Sequence, residues 1–141
     1  LGLVYEIRMR RKNESNTPNG IIFLGDLDPL ATDGSWETGY IFKYQNSGQW
    51  GLSMYTGGTL HGIAGAFSSA ITPDWNKLTV WRVGDEISVW INETFLGTYP
   101  NSAYYFGYVG VGMVESSPSD PSPLLVDWAK VYYSANPPYA K

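Results

Sequence analysis

An all-β chain folded as an antiparallel β-sandwich or jelly roll is what this sequence predicts, on three observations. Period-2 alternation of apolar and polar residues recurs along the chain, and no window keeps apolar residues at helical spacing over three turns. Sixteen Gly and nine Pro punctuate the 141 residues, which suits many tight turns between short strands. Aromatic residues reach 16%, and charged residues stop at 16% against a usual share of about 25%. A chain of this length buries roughly 68% of the surface its unfolded form exposes, enough for one sizeable core.

The elements follow in order. Leu3, Tyr5, Ile7 and Met9 share one face of a first strand, and Arg8, Arg10 and Lys12 form its wet face. The polar run from Asn13 to Gly20 ends it, and Ile21 to Leu24 is a second strand. Asp26 to Thr38 is a polar loop, after which Gly39 to Tyr44 pairs with Trp50 to Tyr55 across the turn Asn46-Ser47-Gly48. A turn at Thr56-Gly57-Gly58-Thr59 leads to a looser strand from Leu60 to Ile71, closed by Pro73-Asp74.

The clearest element is a hairpin of Leu78 to Val83 and Ile87 to Asn92, joined at Gly84-Asp85 with Val83 facing Glu86. In that register Leu78, Val80, Val89 and Ile91 point one way, while Thr79, Trp81, Ser88 and Trp90 point the other. Tyr105 to Glu115 and Leu124 to Tyr133 supply the last strands, around a loop from Ser116 to Pro123. The predicted sandwich spans residues 1–134, and the Pro-rich residues 135–141 read as a linker or a disordered end. Ile7, Leu78, Val80, Val89, Ile91 and Val109 are the expected core.

Charge and composition exclude several classes. A net charge of -4 and a pI near 4.8 argue against a nucleic-acid partner, which demands a surplus of Lys and Arg. With no Cys, disulfides, thiolate zinc sites and Cys nucleophiles are ruled out. No run approaches the roughly 20 apolar residues of a membrane-spanning helix. The sequons Asn13-Glu14-Ser15 and Asn92-Glu93-Thr94 nudge the expected location toward the extracellular space or cell surface. Residue 1 already sits in an alternating pattern, so an excised or mature piece of a longer precursor is expected.

Trp75-Asn76-Lys77-Leu78-Thr79-Val80, followed by Gly84-Asp85-Glu86-Ile87-Ser88-Val89-Trp90-Ile91-Asn92, resembles a strand pair of concanavalin A-like lectin/glucanase domains, including laminin-G-like and sugar-hydrolase-type modules. Gly107 to Gly112 resembles that superfamily's late Gly-rich strand, and Val126 to Val131 its closing strand. The resemblance implies the fold and not one function. It also implies an earlier opening strand that pairs near the C-terminal strand. Here the chain starts late, so an open sheet edge and self-assembly through it are expected.

Glycoside hydrolysis needs two carboxylates about 5 to 9 Å apart. The triplet of acids along one strand that marks the laminarinase-like branch is missing, Asp85-Glu86 lies in a turn, and Glu6 stands alone on its strand. His61 is the one base available to a Ser-His-Asp arrangement, in an ordinary Gly-rich setting. Asp26, Asp28 and Asp33 form the densest acidic loop, a candidate calcium site given the hard cation's demand for oxygens and the habit of the resembled fold.

Trp81 and Trp90, with Thr79 and Ser88 beside them, offer a stacking platform for sugar rings or, equally, a face that packs against something else. Trp75 and Trp128 read as core. The leading expectation is a non-catalytic module that binds a polysaccharide or glycan. A glycoside hydrolase of the same fold and a structural subunit of an extracellular filament or coat are the alternatives.

Overall fold

The computed structural model describes residues 1–12, 16–26, 36–113 and 122–141. These residues hold ten strands: β1 (Gly2–Arg11), β2 (Asn19–Gly25), β3 (Thr38–Tyr44), β4 (Gln49–Thr56), β5 (Thr59–Phe67), β6 (Asn76–Val83), β7 (Glu86–Ile91), β8 (Thr94–Pro100), β9 (Tyr108–Met113) and β10 (Leu124–Ser134). They form two five-stranded sheets, ordered β10-β1-β6-β7-β8 and β5-β4-β3-β2-β9, with every pairing antiparallel. No helix occurs among the described residues. None, therefore, is long and apolar enough to cross a membrane.

Alternation decides what each sheet turns inward. Tyr5, Ile7 and Met9 of β1 meet Ile21 and Phe23 of β2, Tyr40, Phe42 and Tyr44 of β3, and Trp50 and Leu52 of β4. Leu78, Val80, Val89 and Ile91 join them, so the expected hairpin faces hold, and Val83 does face Glu86. Val109, also expected in the core, is 36% exposed. It lies on β9, the outermost strand of its sheet, and an edge strand has cover from one side only.

A strand absent from the sequence expectations, β8, follows β7 through a turn at Asn92-Glu93, whose φ angles are +50° and +66°. Both central residues of such a hairpin turn are left-handed, a conformation usually signalled by Gly, and here Asn and Glu adopt it without that signal.

Asn92 holds this corner together from the side-chain end. Its Oδ1 accepts from Lys77 N at 2.8 Å, and its Nδ2 donates to Ala70 O at 2.8 Å and to Asn76 Oδ1 at 2.9 Å. Asn76, fully buried, accepts at Oδ1 from Thr72 N at 2.9 Å and donates from Nδ2 to Thr72 O at 2.9 Å. Two amides thus pin the 70–76 loop to the start of β6 and the end of β7. The same bonds occupy the nitrogen that a glycan at the second sequon would use, so the structure removes Asn92 as support for a secreted location. Asn13 of the first sequon lies outside the described residues.

The tail also departs from expectation. Instead of trailing away, residues 135–141 lie back across the outer face of the β10-β1-β6-β7-β8 sheet, where Trp90 Nε1 donates to Ala140 O at 3.0 Å and Tyr139 OH donates to Glu6 Oε1 at 2.6 Å. Aromatic contacts explain this: the Tyr139 ring lies 6.4 Å from Trp90 at 71°, an edge-on pair.

Replacing Asn76 by Ala strands several buried backbone and amide groups, so it is expected to cost about 2 to 4 kcal/mol in denaturant melts. The exposed Asn136→Ala control should stay within about 0.5 kcal/mol.

Candidate functional site

The outer face of the β10-β1-β6-β7-β8 sheet is assembled in rows that cross several strands. Lys130, Glu6, Thr79, Trp90 and Phe95 form one row, and Tyr132, Val4, Trp81, Ser88 and Thr98 the next. These rows bring together the four sugar-stacking candidates, Thr79, Trp81, Ser88 and Trp90. The tail lies over both rows, and Trp90, Thr79 and Ser88 are buried beneath or within them, with Trp90 at 0% exposed.

Each member has a partner there. Thr79 Oγ1 donates to Glu6 Oε1 at 3.1 Å, the hydroxyls of Ser88 and Thr98 are 2.7 Å apart, and Trp81 Nε1 donates to Ser134 O at 3.3 Å. Lys141 Nζ sits 5.2 Å from the Trp81 ring and 5.7 Å from that of Phe95. Only Trp81 keeps part of its surface accessible. With the tail in place, the pair does not present an open platform.

The neighbouring row is open. Trp128, Arg8 and Lys77 stand side by side on β10, β1 and β6, and Trp75 enters just before β6. With Asn92 and Glu93 they line a cleft of about 380 Å³, within the usual size range of small-molecule sites, roughly 300–1,000 Å³. Trp75 and Trp128, expected in the core, are half-buried walls of this cleft. Both lie on the polar phase of the alternation, and the local pattern therefore turned them outward. In the sequence itself, Trp75 shares parity with Lys77 and Trp128 with Lys130, each a charged residue, while the cover that leaves them open is set by the tertiary structure.

The polar groups of the cleft are fixed by their neighbours. The Arg8 guanidinium lies 4.6 Å from the Trp75 ring centre, and its Nη1 donates to Asp127 Oδ2 at 2.6 Å. Lys77 Nζ donates to Glu93 Oε1 and to Tyr139 OH, both at 2.7 Å. Burial pushes the Lys77 ammonium down, but its hydrogen bonds to Glu93 and Tyr139 outweigh this and leave it above the ordinary value. Two cations and two carboxylates thus line or border a cleft walled by indoles, an arrangement without net charge. Indole faces suit the C–H faces of sugar rings, and fixed donors and acceptors suit hydroxyls.

The remaining candidates are placed as follows. Asp26 is exposed, while Asp28 and Asp33 lie outside the described residues, and no group of three possible metal ligands occurs among the described residues. His61 is exposed on the edge strand β5, opposite Met54. Glu6, though 2% exposed, is engaged by Thr79, by Tyr139 and, at 3.6 Å, by Lys130. On the other sheet, Trp36 borders a recess of about 90 Å³, well under the size of a ligand site.

The same architecture recurs in solved structures. Carbohydrate-binding module CBM66 from Bacillus subtilis superposes with a TM-score of 0.75 at 13% identity, covering 94% of this chain and 75% of that one. The fold is concanavalin A-like. Sheep galectin-11, in complex with glycerol, matches with a TM-score of 0.66 at 11% identity, covering 93% of this chain and 90% of that one. A Bacillus licheniformis β-glucanase matches at 0.62 and 11% identity over 93% of this chain and 66% of that one. No family model and no curated protein sequence matches the chain. This concanavalin A-like scaffold is therefore shared with sugar-binding modules and with a glucanase at identities that establish architecture alone.

Burial foremost, then the hydrogen bond with Glu6, raises the Tyr139 hydroxyl above the ordinary tyrosine value. A tyrosine raised on folding stabilises the docked tail fully below the unfolded value, about 10. That contribution is lost as pH rises through the folded value. Above pH 10 the tail is therefore expected to loosen, with a red shift of tryptophan emission as Trp90 meets water. Tyr139→Phe should remove that pH step.

Proposed function

We propose that this chain is a non-catalytic carbohydrate-binding or adhesive module of the cell exterior, which seats a neutral sugar ring of a polysaccharide or glycan between Trp75 and Trp128. The observation that carries this reading is the open cleft itself. It pairs two half-buried indoles with Arg8, Lys77 and Glu93 as hydroxyl partners, beside the structurally committed Asn92. The two charge pairs at its border, Arg8 with Asp127 and Lys77 with Glu93, balance one another and favour an uncharged ligand. The fold neighbours described as carbohydrate-binding modules and a galectin support sugar recognition on this scaffold.

The non-catalytic part rests on the carboxylates. Glu93 and Asp127, the carboxylates at the cleft, are each engaged in an ion pair, with Lys77 and Arg8, while the tail covers Glu6. Covered in that way, Glu6 lacks access to a glycosidic oxygen. Release of reducing sugar from a polysaccharide panel by the purified chain would overturn this part and favour the glycoside hydrolase alternative.

Trp75→Ala or Trp128→Ala should weaken binding to a neutral glycan at least tenfold by calorimetry, the loss expected of an aromatic hot spot. Trp90→Ala should instead cost about 3 to 5 kcal/mol of folding stability, as for a buried core aromatic. Glycan binding unaffected by either cleft substitution would refute the cleft as the seat.

Calcium at Asp26, Asp28 and Asp33 is a separate proposal. Saturating calcium should raise the melting temperature and a chelator lower it, because a metal bound by the native state stabilises it by mass action. Unchanged melting in both conditions would remove it.

A further inference from the structure

Among the described residues, the core is open on one side of the sandwich. β9 and β10 are the outermost strands of their two sheets, and they lie next to β2 and β1, which pack on the shared core. Register fixes where their side chains point. Val131 pairs with Tyr5 and Tyr133 with Leu3, so they project inward, as does Val111 opposite Ile21. Yet Val111, Met113, Val126, Val131 and Tyr133 are 39%, 46%, 46%, 49% and 71% exposed. Apolar side chains that register directs into the core face water instead.

Between the two edges runs a groove of about 460 Å³ that reaches Leu3 and Leu24. The hydroxyl of Tyr5, which donates to Gly110 O at 3.2 Å, bridges the sheets behind it. Among the described residues its lining holds no carboxylate side chain, and its cationic side chain, Arg82, is held at the end by the carbonyls of Asn101 and Tyr104.

We propose that this groove is a docking site for an extended β-strand that is not among the ten described, laid along the free edge of β10 with an uncharged apolar side chain at every second position. Three features select that occupant. No described strand lies beyond β10 or β9, so the outer backbone N–H and C=O groups of each form a row that a further strand satisfies. The inward rows on both flanks repeat every second residue, the period of a strand and not of a helix. The groove also extends inward as far as Leu3 and Leu24. A second folded copy would bring an edge strand with its whole sandwich attached, and its binding would show as a dimer. This inference stands on different residues from the glycan reading, and either can fail without the other.

The test is selection of a displayed library of random peptides, about as long as β10, against the purified chain. Selected peptides should carry apolar residues at alternate positions and slow hydrogen exchange at β10 amides. Val131→Asp and Val111→Asp should weaken their binding at least tenfold. Both positions are partly exposed, so these variants should keep the parent's melting curve and its glycan binding.

Three results would each overturn the proposal: no peptide selected, selected peptides without alternation, or peptides that bind the Asp variants equally well. Sedimentation showing a dimer that Val131→Asp dissociates, with no peptide protection of β10, would assign the groove to a second copy instead.

Discussion

The contact on which the candidate site depends is the pair of side-chain amides, Asn76 and Asn92. Asn76 is buried at the first residue of β6, and Asn92 occupies a left-handed position directly after β7. A planar amide can donate and accept at once, and here each does both, so the loop is fixed to a strand start and a turn that the backbone bond from Asn92 N to Lys77 O already joins. Trp75, Lys77 and Glu93 each stand one residue from one of these amides. The geometry of the cleft is therefore a consequence of a buried polar knot, rigid because an unpaired amide at that depth costs more than any rearrangement gains.

The outer face of the β10-β1-β6-β7-β8 sheet divides into a covered part and an open part, and the tail draws the line. Tyr139 reaches both Glu6 and Lys77, so one hydroxyl closes the covered rows and also borders the open cleft. Val4 and Trp90 are fully buried on a face that period-2 alternation assigns to solvent. The apolar excess on both faces of the β6–β7 hairpin has this explanation: one face belongs to the inter-sheet core and the other to the tail.

The two edges tell the converse story. On β9 and β10 the alternation is kept, but the cover it anticipates is missing, and inward-directed Val111, Val131 and Tyr133 remain exposed. A sandwich core is closed by its layers and also by its flanks, and here one flank is unclosed among the described residues. The exposed Val109 on the same strand follows from that geometry and from no weakness in its β-forming character.

Local properties determined what was legible in advance. Alternation in Leu3 to Met9 and in the β6–β7 hairpin, with left-handed turn residues such as Gly84, specified strands, register and inward faces, because side-chain direction in a strand depends on parity alone. β8 escaped notice because its turn uses Asn92 and Glu93 in place of Gly. Only the tertiary structure decided which aromatics meet solvent. Trp128 and Lys77 become neighbours through β1, which lies between their strands in the sheet though distant from both in sequence. Trp90 is buried by a tail fifty residues downstream. Parity is a property of adjacent residues, whereas cover comes from whatever segment packs on top, and that choice is made by the whole chain.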